Sequence, residues 1–115
     1  MDASCPERGI LEHVTSRWGV LVLAELDGGR SLRFSELRRA VGIVTEKMLT
    51  QTLRTLERDG FVLRRALPVI PPHVSYTLTP LGEDAALRVR QLSEWTATCV
   101  SAVLTARATY DAAPA

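Results

Sequence analysis

In the stretch Thr45 to Gly60, TEKMLTQTLRTLERDG, Lys47, Gln51, Arg54 and Arg58 recur at helical spacing, so a helix would carry them all on one side. Leu49, Thr52, Leu53 and Leu56 would fall on the other. Lysine and arginine bring charge to phosphates, and glutamine and arginine carry planar, paired hydrogen-bonding groups that match adenine and guanine edges in a DNA major groove. The competing reading of this helix alone is an amphipathic surface helix with a solvated polar face. No comparable grouping points to catalysis. His13 and His73 stand apart from any nucleophile signature, and there is no Gly-rich phosphate loop. Cys5 and Cys99 are too few for a disulfide framework, and neither has the close partner of a zinc site. No enzyme activity, cofactor or metal is therefore expected.

The elements around that helix decide what its polar face meets. Thr45 is placed to cap it through the hydroxyl, and Asp59-Gly60 to stop it. Upstream, Ser31-Leu32-Arg33 reads as a short extended piece, and Ser35 as the cap of a compact helix through Val41, with Phe34 and Leu37 turned inward. Gly42-Ile43-Val44 then makes the tight turn of a helix-turn-helix, although a plain helical hairpin has the same sequence form. Downstream, Phe61 to Leu67 and Val74 to Thr79 read as paired strands, with Val74, Tyr76 and Leu78 on one face. Pro68-Val69-Ile70-Pro71-Pro72-His73 between them continues neither strand. A helix-turn-helix followed by a two-stranded ribbon is a winged helix, whose wing would hold Arg64, Arg65 and His73 near a phosphate backbone or minor groove.

Met1 to Ser4 is expected to be disordered. Cys5-Pro6 marks a helix start, with Cys5 at the N-cap and Pro6 at the first helical position, and Ile10, Leu11 and Val14 give that helix an apolar side. A thiolate at Cys5 would meet unsatisfied N–H groups and the positive end of the helix dipole, with Glu7 working against it. Trp18 to Leu26 is apolar nearly all round and suits a buried central helix anchored by Trp18 and ended by Asp27-Gly28-Gly29. His13 is expected at the surface or an interface. Thr79-Pro80-Leu81-Gly82 opens a long final helix, and Asp111 to Ala115 reads as a frayed tail. On that helix Ala85, Leu92 and Cys99 repeat at seven residues, as do Val89, Thr96 and Val103, with Trp95 beside the stripe. So long an apolar edge calls for a second copy, with Ile10, Leu11, Leu92, Trp95, Cys99 and Val103 at the dimer interface; packing back onto its own domain is the alternative.

The chain of 115 residues fits one α+β domain: N-terminal helices at 5–27, helix-turn-helix and wing at 31–79, and a dimerisation helix at 80–108. Its net charge of +1 hides an uneven division. Arg30 to Arg65 holds nine basic and four acidic residues, a balance of +5, while the remainder holds five against nine, a balance of −4. A basic middle with acidic flanks is the footprint of a nucleic-acid-binding face. The aliphatic run Val20 to Ala24 is far too short to span a bilayer and the N-terminus lacks a leader pattern, so a cytoplasmic protein is expected.

Taken in order, Cys5-Pro6, Trp18 to Leu26, RFSELRRAV at Arg33 to Val41, EKMLTQTLRTLERDGFVLR at Glu46 to Arg64, PPHVSYTLTPLG at Pro71 to Gly82 and the late Trp95 cover most of residues 5 to 95. In this the chain resembles the HxlR-type winged-helix transcriptional regulators of bacteria, relatives of the MarR type. Two departures stand out. Thr15-Ser16-Arg17 replaces the usual glycine pair and lysine before the tryptophan, and His73 stands where an arginine would supply a permanent minor-groove charge. The resemblance implies a sequence-specific DNA-binding regulator, a repressor acting as a homodimer on an inverted-repeat operator. The expected DNA contacts are Arg33, Ser35, Thr45, Lys47, Thr50, Gln51, Arg54, Arg58, Arg64, Arg65 and His73. Some members sense oxidants or electrophiles through a cysteine at the position matching Cys5, which makes Cys5 a candidate sensor. Cys99 is then either packing or a resolving thiol across the two-fold axis, and a small-molecule effector is the other candidate signal. The second reading of the whole chain is a winged helix used as a protein-interaction module without DNA binding.

Overall fold

The structure, a computed structural model, describes residues 5–114, so the disorder expected of Met1 to Ser4 lies outside the described residues. Two N-terminal helices, α1 (Pro6–Thr15) and α2 (Arg17–Leu26), meet at Ser16, whose hydroxyl accepts the Gly19 N–H at 3.1 Å. The Thr15-Ser16-Arg17 departure thus makes a one-residue junction in which Ser16 closes one helix and caps the next. A short strand, β1 (Leu32–Arg33), leads into α3 (Phe34–Val41) and α4 (Glu46–Arg58). Then come β2 (Val62–Leu67), β3 (His73–Leu78) and α5 (Pro80–Ala112).

The core gathers on the inner sides of the helix-turn-helix, with Leu23, Leu26, Leu37, Leu49, Leu53 and Leu56 fully buried at its centre. Val62 and Tyr76 close it from the sheet. Trp18 is not the anchor expected. It is half-buried at the rim, with the Arg17 guanidinium 4.8 Å from its ring centre, because α2 turns Gly19, Val22, Leu23 and Leu26 inward and leaves Ala24 exposed.

Three local expectations are revised. Residues Leu32 and Arg33 pair antiparallel with Tyr76 and Ser75, so the ribbon is the two-stranded part of a three-stranded sheet ordered β1-β3-β2. Ser35 does not cap α3. Arg33 occupies that position, and its backbone N–H donates to the Glu36 carboxylate at 2.9 Å, one half of a capping box. Finally, α5 runs to Ala112 and takes in part of the expected tail, since the alanine-rich stretch after Leu104 favours helix and no proline intervenes before Pro114. Ala115 lies outside the described residues.

Helix α5 is about 50 Å long at the usual rise per residue, in a molecule whose long dimension is 63 Å. Its first turns dock on α2 and β3, with Gly82 and Ala86 buried and Ala85 and Val89 packed at the core edge. From Leu92 onward the apolar stripe is uncovered: Leu92 is 57% and Trp95 60% exposed. Packing back onto the domain therefore describes only the first third of this helix.

Candidate nucleic-acid interface

Helix α4 is held in place from both ends and from beneath. Thr45 Oγ1 accepts the Met48 N–H at 3.1 Å, satisfying a first-turn donor, while Leu49, Leu53 and Leu56 anchor the inner side. At the far end Asp59 caps α4 and Gly60, at φ +84°, reverses the chain into β2. This burial leaves Lys47, Gln51, Arg54 and Arg58 exposed in one row, with Thr50 half-buried at its edge. Thr45 is also exposed, but its hydroxyl already serves the helix.

The turn before α4 is braced by Arg38. Its Nε donates to the Val44 carbonyl at 3.1 Å and its Nη1 lies 3.4 Å from Glu46 Oε1, so this arginine ties α3 to the start of α4. A second brace has no sequence signal. His13, in the last turn of α1, meets the Asp59 carboxylate at 2.5 Å, joining the N-terminal helix to the end of α4 across 46 residues.

Strand register separates the two wing arginines that the sequence places side by side. Arg64 pairs with Tyr76 and so faces the helices, where it shares a concavity of about 400 Å³ with Thr50, Arg54, Glu57 and Tyr76. Arg65 pairs with Ser75 and points to the outer face, in register with Arg33 on the other side of β3. There the Arg33 guanidinium donates to His73 Nδ1, so the imidazole accepts with that nitrogen and the two side chains sit together at the loop end of the wing, where His73 pairs with Leu67. Ser35 is exposed in the first turn of α3. A further open concavity, about 520 Å³, runs along Lys47, Thr50, Gln51 and Arg54.

The distribution of unsatisfied charge is uneven. Arg8, Arg30, Arg38, Arg88 and Arg90 are in ion pairs, Arg33 and Arg39 are hydrogen-bonded, and Arg17 stacks on Trp18. Among the described residues the cations without an intramolecular partner are Lys47, Arg54, Arg58, Arg64, Arg65 and the distant Arg107. All but the last lie on α4 and β2. Lys47, Arg54 and Arg58 along α4, with Arg64 beside them, are cations kept free of internal partners on one side and available to phosphates and base edges, while Arg65 lies on the opposite face of the sheet.

The family model described as HxlR-like helix-turn-helix matches residues 13–103, which span every element from the end of α1 to the last third of α5. The chain belongs to this family. The HTH-type transcriptional regulator YtfH of Escherichia coli strain K12 is 58% identical over 91 residues, covering 79% of this chain and 71% of the relative. Among solved structures, the transcriptional regulator YtfH from Salmonella typhimurium superposes with a TM-score of 0.83 at 51% identity, covering 92% of this chain and 94% of that one. The redox regulator HypR in its reduced form superposes with a TM-score of 0.78 at 31% identity, covering 88% and 99%. An HxlR-like regulator is a DNA-binding transcription factor, and this sets aside the reading of the wing as a protein-docking module. Among the described residues no helix is long and apolar enough to cross a membrane.

Proposed function

We propose that the chain is a cytoplasmic repressor without catalytic activity, a single winged-helix domain that binds an inverted-repeat operator as a homodimer. The observation that carries this is the row of partnerless cations on α4, with Arg64 of β2 beside it. In this reading Gln51 and Arg54 reach base edges in the major groove, and Lys47, Thr50, Arg58 and Arg64 hold the flanking phosphates. Ser35 and the N-terminus of α3 meet the backbone beside them, while Arg33, Arg65 and His73 serve the wing. The test is selection of duplexes from a random-sequence pool on the wild-type protein. Two half-sites with centres about one helical turn apart are expected; retention without any sequence preference would overturn the reading.

Dimerisation is supported by the exposed Leu92, Trp95 and Val103, and by an apolar concavity of about 540 Å³ between α1, α2 and α5 that includes Leu11, Val89 and Leu92. Ile10 lies exposed on the same helix as Leu11. Ending the chain after Gln91 keeps Gly82, Ala86 and Val89 on the core, so the shortened protein is expected to sediment as a folded monomer while the full chain sediments as a dimer. A full-length monomer would contradict the two-fold operator.

For the signal we propose oxidation or electrophile addition at Cys5. The likeness to the redox regulator HypR supports it, as does the half-buried, free Cys5 thiol at the start of α1, which accepts no hydrogen bond from the first turn. Cys99 is also free and half-buried, on the exposed part of α5. Diamide would take two electrons and two protons from a pair of thiols and leave a disulfide. Operator affinity is expected to fall on diamide treatment of the wild type and not of Cys5→Ser. An equal response in both proteins would shift the signal to another group or to a small ligand.

A further inference from the structure

The wing carries its expected charges, Arg64, Arg65 and His73, on its strands, and its tip is apolar. Residues 66–72, Ala-Leu-Pro-Val-Ile-Pro-Pro, contain no charged and no polar side chain, although Arg65 precedes the stretch and the Arg33–His73 pair directly follows it. Ile70 is 100% exposed and Val69 half-exposed. Proline is an ordinary turn residue, but the two positions between the prolines, Val69 and Ile70, are large and apolar where reversing the chain alone favours glycine, asparagine, aspartate or serine. This one is stiffened by Pro68, Pro71 and Pro72 and by the Val69 N–H donating to the Leu67 carbonyl at 2.9 Å. A stiff loop that presents isoleucine to water is arranged for a contact, because little conformational freedom is given up when the side chain is covered.

The position of the tip indicates which contact. Arg64 shares a concavity with Arg54 and Thr50 of α4, which fixes one point of β2 beside the recognition helix. From Arg64 to the end of the strand is roughly 10 Å of extended chain, and the loop carries the tip several ångströms further. Adjacent major and minor grooves are displaced by half a turn, roughly 17 Å. With α4 in the major groove, that reach is comparable to the separation of the neighbouring minor groove.

We propose that Ile70 enters that minor groove as an apolar wedge, partly unstacking a flexible pyrimidine–purine step, so that the wing tip reads deformability of the duplex beside the charges that flank it. This rests on the DNA-binding reading above and adds a determinant of specificity to it. Sequence preference then extends to base steps that α4 does not touch. A wedge removes no counterions, so its contribution is insensitive to salt, in contrast to that of Arg64.

The experiment compares wild type, Ile70→Ala, Ile70→Arg and Arg54→Ala on duplexes enriched from a random-sequence pool by the wild-type protein. Affinity is measured as a function of salt, and bend angle by circular permutation of the site at saturating protein. The expected result for Ile70→Ala is an affinity loss of about tenfold with an unchanged salt slope and a smaller bend. Ile70→Arg recovers affinity only with a steeper salt slope, and Arg54→Ala loses affinity while keeping the wild-type bend. Thermal melts of the variants are expected to match wild type, since Ile70 touches no core residue. Ile70→Ala with wild-type affinity and bend would overturn the wedge while leaving DNA binding by α4 intact. Failure of the wild type to enrich any sequence would overturn the DNA reading itself.

Discussion

Arg54→Ala is expected to lower affinity for the selected operator by about 2–6 kcal/mol, since one bidentate hydrogen-bonded base pairing is worth about 1–3 kcal/mol and a homodimer forfeits two of them. Arg54 is exposed and has no internal partner, so its removal leaves the fold untouched; alanine is also a better helix former. Gln51→Ala is expected to act in the same way at a neighbouring base. Both substitutions relax preference at one position in each half-site, which binding to operators mutated one base pair at a time resolves. Lys47→Ala and Arg64→Ala are expected to behave differently: every sequence weakens alike, and the salt slope falls by about one for each phosphate left without its cation. Equal discrimination by Arg54→Ala and wild type would place base readout elsewhere on the molecule.

Gly82→Ala is expected to destabilise the fold by about 3 kcal/mol or more, a large share of the stability of a domain this size. A Cβ there would lie 2.0 Å from the Phe61 carbonyl oxygen and 2.9 Å from its carbon. These are backbone atoms, and they are not free to move. The same carbonyl accepts the Thr79 N–H at 3.1 Å, and Thr79 Oγ1 in turn accepts the Gly82 N–H at 3.0 Å. This knot joins the entry of β2 to the first turn of α5, so opening it loosens α5 and the end of α4 together. Gly9→Ala is the matched control. An added Cβ meets nothing within 4 Å there, and helix propensity alone should make the change neutral or slightly stabilising. Urea titrations of the two variants, with equal midpoints, would remove the close approach at Gly82 as a determinant of the fold.

Helix α4 is legible in the sequence because its signals agree: leucines at helical spacing, a hydroxyl cap at Thr45 and a glycine stop at Gly60 are all local. The long-range features are not. Nothing in the spacing of His13 and Asp59 marks them as partners, because an interaction across 46 residues has no periodicity to carry it. Pairing of Leu32 and Arg33 with β3 escapes a sequence reading for a similar reason, since two residues are too few to show alternation. Composition groups Arg64 with Arg65, whereas strand pleat sends neighbours to opposite faces and only Arg64 joins the face of α4. Size alone favours Trp18 as an anchor, yet α2 turns its smaller aliphatic residues to the core centre.

The central claim is that the polar face of α4 lies in the major groove, and methylation interference at guanine N7 tests it most directly, because that atom is presented there. With a selected operator, methylated guanines are expected to abolish binding in two patches whose centres lie about one helical turn apart. Arg54→Ala is expected to lose the interference at one guanine in each patch and keep the others. Binding that tolerates N7 methylation throughout the site would contradict the account.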